Sequence, residues 1–143
     1  MSRLRSVCLL MVLSALGCSS ESNQPAVAPE NTSASAWRSG TTADETWKVK
    51  WRSLVDPIPN GEPFAVEVVV EGDPEKLKDV IIVVDAEMPH HGHGMNFVPE
   101  LDGEPGHWRA RGLLFHMPGR WELSVDVIED GKMERAQWTV EVE

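Results

Sequence analysis

Residues 121–142 read "WELSVDVIEDGKMERAQWTVEV". Trp121, Leu123, Val125 and Val127 alternate with Glu122, Ser124 and Asp126, the period-two pattern of a strand with one buried face. Asp130-Gly131 follows, a dipeptide suited to the two-residue turn that joins twisted antiparallel strands. Beyond it Ala136, Trp138, Val140 and Val142 take up the alternation again and should face inward. The segment therefore predicts a β-hairpin with one apolar face, and such a face needs a second sheet to cover it.

The same texture extends upstream. Trp47, Val49 and Trp51 alternate with Lys48, Lys50 and Arg52, while 65–70 and 80–84 are short runs rich in Val and Ile. Trp108, Ala110, Gly112 and Leu114 alternate with Arg109 and Arg111. Asn60-Gly61, with Pro57 and Pro59, is turn chemistry, and the only helical signal is a possible turn at 74–78. Six or seven strands in just under 100 residues predict an all-β fold, an immunoglobulin-like antiparallel β-sandwich over residues 46–143. The tryptophans at 47, 51, 108, 121 and 138 should fill much of its core.

The N-terminus reads differently. Arg3 and Arg5 precede the apolar run 7–13, long enough for a secretory leader and far short of the roughly 20 residues of a membrane span. Ala15-Leu16-Gly17-Cys18 closes the run and resembles a lipobox, so residues 1–17 are expected to be a lipoprotein signal peptide and Cys18 the lipidated residue. Residues 18–45, rich in Ser, Thr, Ala, Asn and Pro with Trp37 the one aromatic, are expected to be a disordered tether. The expected address is the cell envelope, on a membrane through the lipid.

Composition narrows the chemistry. Cys8 would leave with the leader and Cys18 would carry the lipid, so no thiol would remain for a disulfide, a redox pair or a thiolate metal site. The formal net charge is −10; without the two leader arginines Lys+Arg falls from 13 to 11 against 23 Asp+Glu, about −12. That excludes nucleic acid as a natural partner. No Ser or Cys nucleophile motif, phosphate loop or HExxH is present, and Asp85 and Glu87 read as solvent-facing carboxylates, so no enzymatic activity is expected.

One cluster stands apart. All five histidines lie between 90 and 116, and Met88, Met95 and Met117 fall in or beside that window. The residues occupy two places, the loop "EMPHHGHGM" at 87–95 and "FHMPG" at 115–119, which a Greek-key sandwich can gather at one end. In an extended loop His91, His93 and Met95 would point one way and Met88 and His90 the other, unless Gly92 or Gly94 breaks the alternation. Imidazole with thioether suits copper, and methionine argues against zinc as the intended ion. The plainer reading is a tight Gly–Pro turn with Met95 and Met117 as core plugs.

"MPHHGHGM" (88–95) followed by "GHWRARGLLFHMPGRWELSVDV" (106–127) resembles the YtkA-like domain family, related to FixH-type proteins, over roughly residues 46–143. The shared motifs are an "MPxHGHGM" loop and a later "MxGxW". The resemblance implies an exported immunoglobulin-like β-domain, often anchored to lipid or membrane, with a link through FixH-type relatives to assembly of copper-containing oxidases. Met88, His91, His93, Met95 and Met117 fall on the shared pattern, and His90 and His116 on its variable positions. The transmembrane helix of FixH-type members has no counterpart in this chain's apolar runs. Two functions are thus expected: a lipid-anchored copper-binding domain for sequestration or delivery, or a metal-free β-sandwich that docks on an envelope protein complex.

Overall fold

The hairpin of residues 121–142 forms as its alternation predicts. In the computed structural model, which describes residues 33–143, Trp121, Leu123, Val125 and Val127 are fully buried, and Asp130 and Gly131 both take positive φ (50° and 79°) at the turn. The expected leader 1–17, the Cys18 lipidation site and the first part of the expected tether lie outside the described residues.

Among the described residues nine strands form two antiparallel sheets. The first contains β1 (Arg38–Thr41), β2 (Lys48–Ser53), β3 (Phe64–Glu71), β6 (Glu100–Glu104) and β7 (His107–Leu113), in the order β1-β2-β3-β7-β6. The second contains β4 (Ile81–Met88), β5 (His93–Gly94), β8 (Gly119–Glu129) and β9 (Lys132–Val142), in the order β5-β4-β8-β9. Setting β1 aside, β2-β3-β7-β6 over β5-β4-β8-β9 is the A-B-E-D over C′-C-F-G arrangement of immunoglobulin-like sandwiches. The expected fold class is the observed one.

The core lies between the sheets. Val49 and Trp51 of β2, with Trp47 just before it, meet Val66, Val68 and Val70 of β3 and the inward residues of β4 and β8. The one helix among the described residues, α1 (Pro74–Leu77), is the expected turn; Asp73 caps it by accepting the Glu75 amide at 2.9 Å, and Leu77 plugs the core. No helix among the described residues is long and apolar enough to cross a membrane.

Four expectations need correction. There are nine strands rather than about seven, because β1, the two-residue β5 and β6 carry too few apolar residues to show periodicity. β1 lies inside the span expected to be tether, so the sandwich begins before residue 46. It is held by backbone pairing with β2 and by contact of Gly40 with the indole of Trp138, which a composition rule cannot register.

Trp138 is only half-buried: it sits on the edge strand β9, covered by β1, with its indole N–H donating to Ser39 O at 3.3 Å. Finally, Leu113 rather than Leu114 fills the core. Gly112 takes φ 84° and the β3–β7 register slips between Phe64 and Ala65, a bulge that shifts the side-chain phase by one residue.

Candidate functional site

The segment after β4 is a hairpin, not an extended loop. The N–H groups of His91 and Gly92 both donate to Met88 O at 3.0 Å, and Gly92 takes φ 69° to close the turn. The chain then returns as β5, pairing His93 with Met88 and Gly94 with Glu87, and the Met95 N–H donates to Ala86 O at 3.0 Å. Directly paired residues share a face of the sheet, so Met88, His93 and Met95 lie on one side. The alternation expected for an extended loop is broken at Gly92.

Alternation along β4 decides the fate of Met88. Ile82, Val84, Ala86 and Met88 are the inward residues, and Met88 is 2% exposed. A Cβ on Gly119 would sit 3.2 Å from its terminal methyl, so the thioether is packed into the core beneath the start of β8. Met95 and Met117 are half-buried at the core margin. The Met117 carbonyl accepts the indole N–H of Trp121 at 3.0 Å, which fixes the connection between β7 and β8. Phe115 in that connection is fully buried and stacks on Trp121, with ring centroids 4.7 Å apart.

With Phe115 anchored inward, His116 comes to the surface of the same end of the sandwich. Its ring meets Trp121 edge-on at 5.3 Å and lies 5.2 Å from His93, which is 5.7 Å from His91. Three imidazoles thus stand in a file, drawn from two segments more than twenty positions apart in the chain. His90 is exposed on the turn, outside the file, and His107 opens β7 at the strand's other end.

Imidazole and thioether are donor types that suit a soft or borderline ion. Two imidazoles on one tetrahedral ion, with metal–nitrogen distances of about 2.0 Å, hold their ring centres roughly 5 Å apart. The neighbouring rings of the file stand at about that separation. As the side chains lie, no group of three His, Cys, Asp or Glu among the described residues converges on one point. Ligation therefore requires rotation of the imidazoles, which the exposed His91 and His93 are free to make.

A networked carboxylate lies on the outer face of the sheet beside β4. Glu122, paired with Glu87, is nearly buried; burial pushes its carboxyl up, but hydrogen bonds from Arg120 and Thr139 hold it below the ordinary range. It belongs to the sheet surface rather than to the imidazole file.

His91 and His93 stand near each other through the hairpin rather than through extended alternation, and the two clusters meet through His93 and His116. His116 falls on a variable position of the family pattern, so the resemblance does not point to it. The useful signal was the buried Phe115: one residue beyond an inward aromatic, a side chain reaches the rim.

These features define a class: an acidic, immunoglobulin-like β-sandwich with histidines and methionines gathered at one end. The sequence profile of the YtkA-like family matches residues 41–126, and the chain belongs to that family. The match runs from the end of β1 into β8 and includes both segments of the site. No curated protein and no solved structure matches the chain.

Proposed function

We propose that this protein is a non-enzymatic, lipid-anchored domain of the cell envelope that binds copper, for sequestration or delivery, at the His/Met end of its sandwich. The observation that carries the reading is the file His91–His93–His116 beside the half-buried thioethers of Met95 and Met117. Imidazole and thioether donors together favour Cu(I) over harder ions. Copper would be held by two or three of the imidazoles with Met95 or Met117 completing the set. Met88, packed in the core on the same face as His93, would form the floor beneath them.

A competition titration against a Cu(I) chelator tests this. His93→Ala should weaken Cu(I) binding by roughly a hundredfold or more, since it removes the central ring. His91→Ala, His116→Ala and Met95→Leu should each weaken it measurably, and His90→Ala should leave it within a few-fold of the parent. Met95→Leu should lose Cu(I) while zinc binding barely changes. Equal losses at all four histidines with no effect of Met95→Leu would leave only an adventitious imidazole cluster.

The anchor is supported by the leader-like run and Ala15-Leu16-Gly17-Cys18. Cys18→Ser should move the protein from the detergent phase to the soluble fraction on phase partitioning. Unchanged partitioning would remove the lipid from the proposal.

A further inference from the structure

A sandwich has four sheet edges, and an uncovered edge strand is a template for pairing with another chain. Three of the four are blunted here. On β9 the Arg135 carbonyl accepts the Ala43 N–H at 3.2 Å and the Thr139 carbonyl accepts an Arg38 guanidinium N–H at 3.3 Å. β1 spans only Arg38–Thr41, and β6 is short and carries Glu100, Asp102 and Glu104. The fourth edge is different. β5 covers only the last residues of β4, and among the described residues Ile81–Asp85 has no partner strand on that side.

The backbone there is free as well. Ala86 turns its carbonyl toward β5 to accept Met95, so by the alternation of a strand Ile82 and Val84 turn their N–H and C=O groups the same way. Among the described residues no strand, loop or side chain hydrogen-bonds those groups.

A cleft of about 230 Å³ runs along this edge, lined by Val83, Val84 and Asp85 on one side and by Met95, Phe97 and Pro99 on the other. Its rim is apolar and open: Ile81 is 62% exposed, Phe97 57% and Val98 90%. These residues adjoin one another at a single edge, where scattered surface hydrophobics would need no explanation.

We propose that the Ile81–Asp85 edge of β4 is a strand-addition site for an extended segment of another protein whose outward-facing residues are apolar opposite Ile81 and Val83 and Lys or Arg opposite Asp85, since these β4 residues share one exposed face. Added main-chain hydrogen bonds to Ile82 and Val84 would supply affinity, and apolar side chains resting on Ile81, Val83 and Phe97 would set the register. The basic residues follow from charge. Asp79, Asp85, Glu87 and Glu100 surround the edge and none forms an ion pair among the described residues, whereas nearby Arg135 is committed to Asp126.

A second copy of the chain is a poor occupant. Antiparallel self-pairing about Val83 sets Asp85 of each copy beside Ile81 of the other and joins two chains of formal net charge −10. The site shares Met95 with the proposed copper centre, but the backbone groups of Ile82 and Val84 on which pairing rests belong to β4 alone, so failure of copper binding and failure of strand addition are read separately.

The test is amide hydrogen exchange on the full-length protein in detergent micelles, read at Ile82 and Val84. Three capped synthetic peptides serve as probes: a valine–lysine peptide Thr-Lys-Thr-Val-Thr-Val, with its lysine and valines on one face of the strand, the same peptide with glutamate for lysine, and the valine–lysine peptide N-methylated at alternate amides. The valine–lysine peptide should slow exchange at both amides by roughly tenfold or more, and the other two by less than about twofold. Val83→Lys, a change at an exposed position that leaves the core intact, should abolish the protection while Trp121 fluorescence stays unchanged. Asp85→Asn with Glu100→Gln should weaken it. No protection by any peptide, or equal protection by the acidic and basic ones, overturns the proposal. So does protection that grows with protein concentration alone, which would make the second copy the occupant.

Discussion

Trp121 and Trp138 look equivalent by their strand phases, yet the structure treats them differently. Trp121 is fully buried, stacked on Phe115 and bonded through its indole N–H to Met117 O. Trp138 lies on an edge strand and meets Trp51 edge-on at 6.3 Å under the cover of β1. Trp121→Ala should therefore cost about 3–5 kcal/mol in denaturant unfolding, and Trp138→Ala roughly half as much. Equal losses would mean that β1 buries Trp138 more completely than its contacts indicate.

Glu134 presents the other instructive residue. It occupies an inward position of β9, 6% exposed, and its carboxylate accepts from Thr42 at 2.7 Å, Thr46 at 2.9 Å and Lys132 at 3.0 Å. The Thr42 hydrogen bond foremost, with Lys132 and Thr46, outweighs burial and holds the carboxyl at about 2, against an ordinary 4.5. A depressed acid stabilises the fold in full above about 4.5 and loses that contribution as pH falls toward about 2. The midpoint difference between the parent and Glu134→Gln should accordingly shrink over that interval. A difference that stays constant from neutral pH to 2 would show that the carboxylate's charge plays no part.

At the scale of elements, β1 shows how a strand forms without apolar residues. Its backbone pairs with β2, Gly40 opposite Val49, and a Cβ on Gly40 would stand 3.0 Å from the Trp138 ring. Gly40→Val should push β1 off the ring, shift tryptophan emission to the red and cost about 1–3 kcal/mol. Unchanged emission and stability would show that β1 contributes no cover. The hairpin from Met88 to Met95 makes the complementary point. Its glycines and proline signal a turn, but only the bonds from His91 and Gly92 to Met88 O specify which histidine ends on which face.

For the whole molecule, the immunoglobulin-like order brings the β4–β5 hairpin and the β7–β8 connection to one end, and His93 meets His116 there. Because His93 lies between the other two rings, a double variant of His91 and His116 should approach the loss of His93→Ala alone in the Cu(I) titration. Simple additivity among the three would argue against a shared ion.

What the sequence determined by itself was the all-β class, the β8–β9 hairpin with its Asp-Gly turn, the inward Trp47 and Trp51 at and just before β2, and the existence of a His/Met cluster. Each of these is local, set by period-two alternation or by the backbone preferences of a dipeptide. Only the tertiary structure decided the rest. β1 is a strand because β2 offers an edge and Trp138 a surface; Leu113 replaces Leu114 because Gly112 adopts positive φ within a pairing to β3. Met88 belongs to the core and His116 to the imidazole file because packing against Gly119 and Phe115–Trp121 fixes which way each points. Local composition shows which side chains are available, but their convergence depends on contacts between segments far apart in the chain.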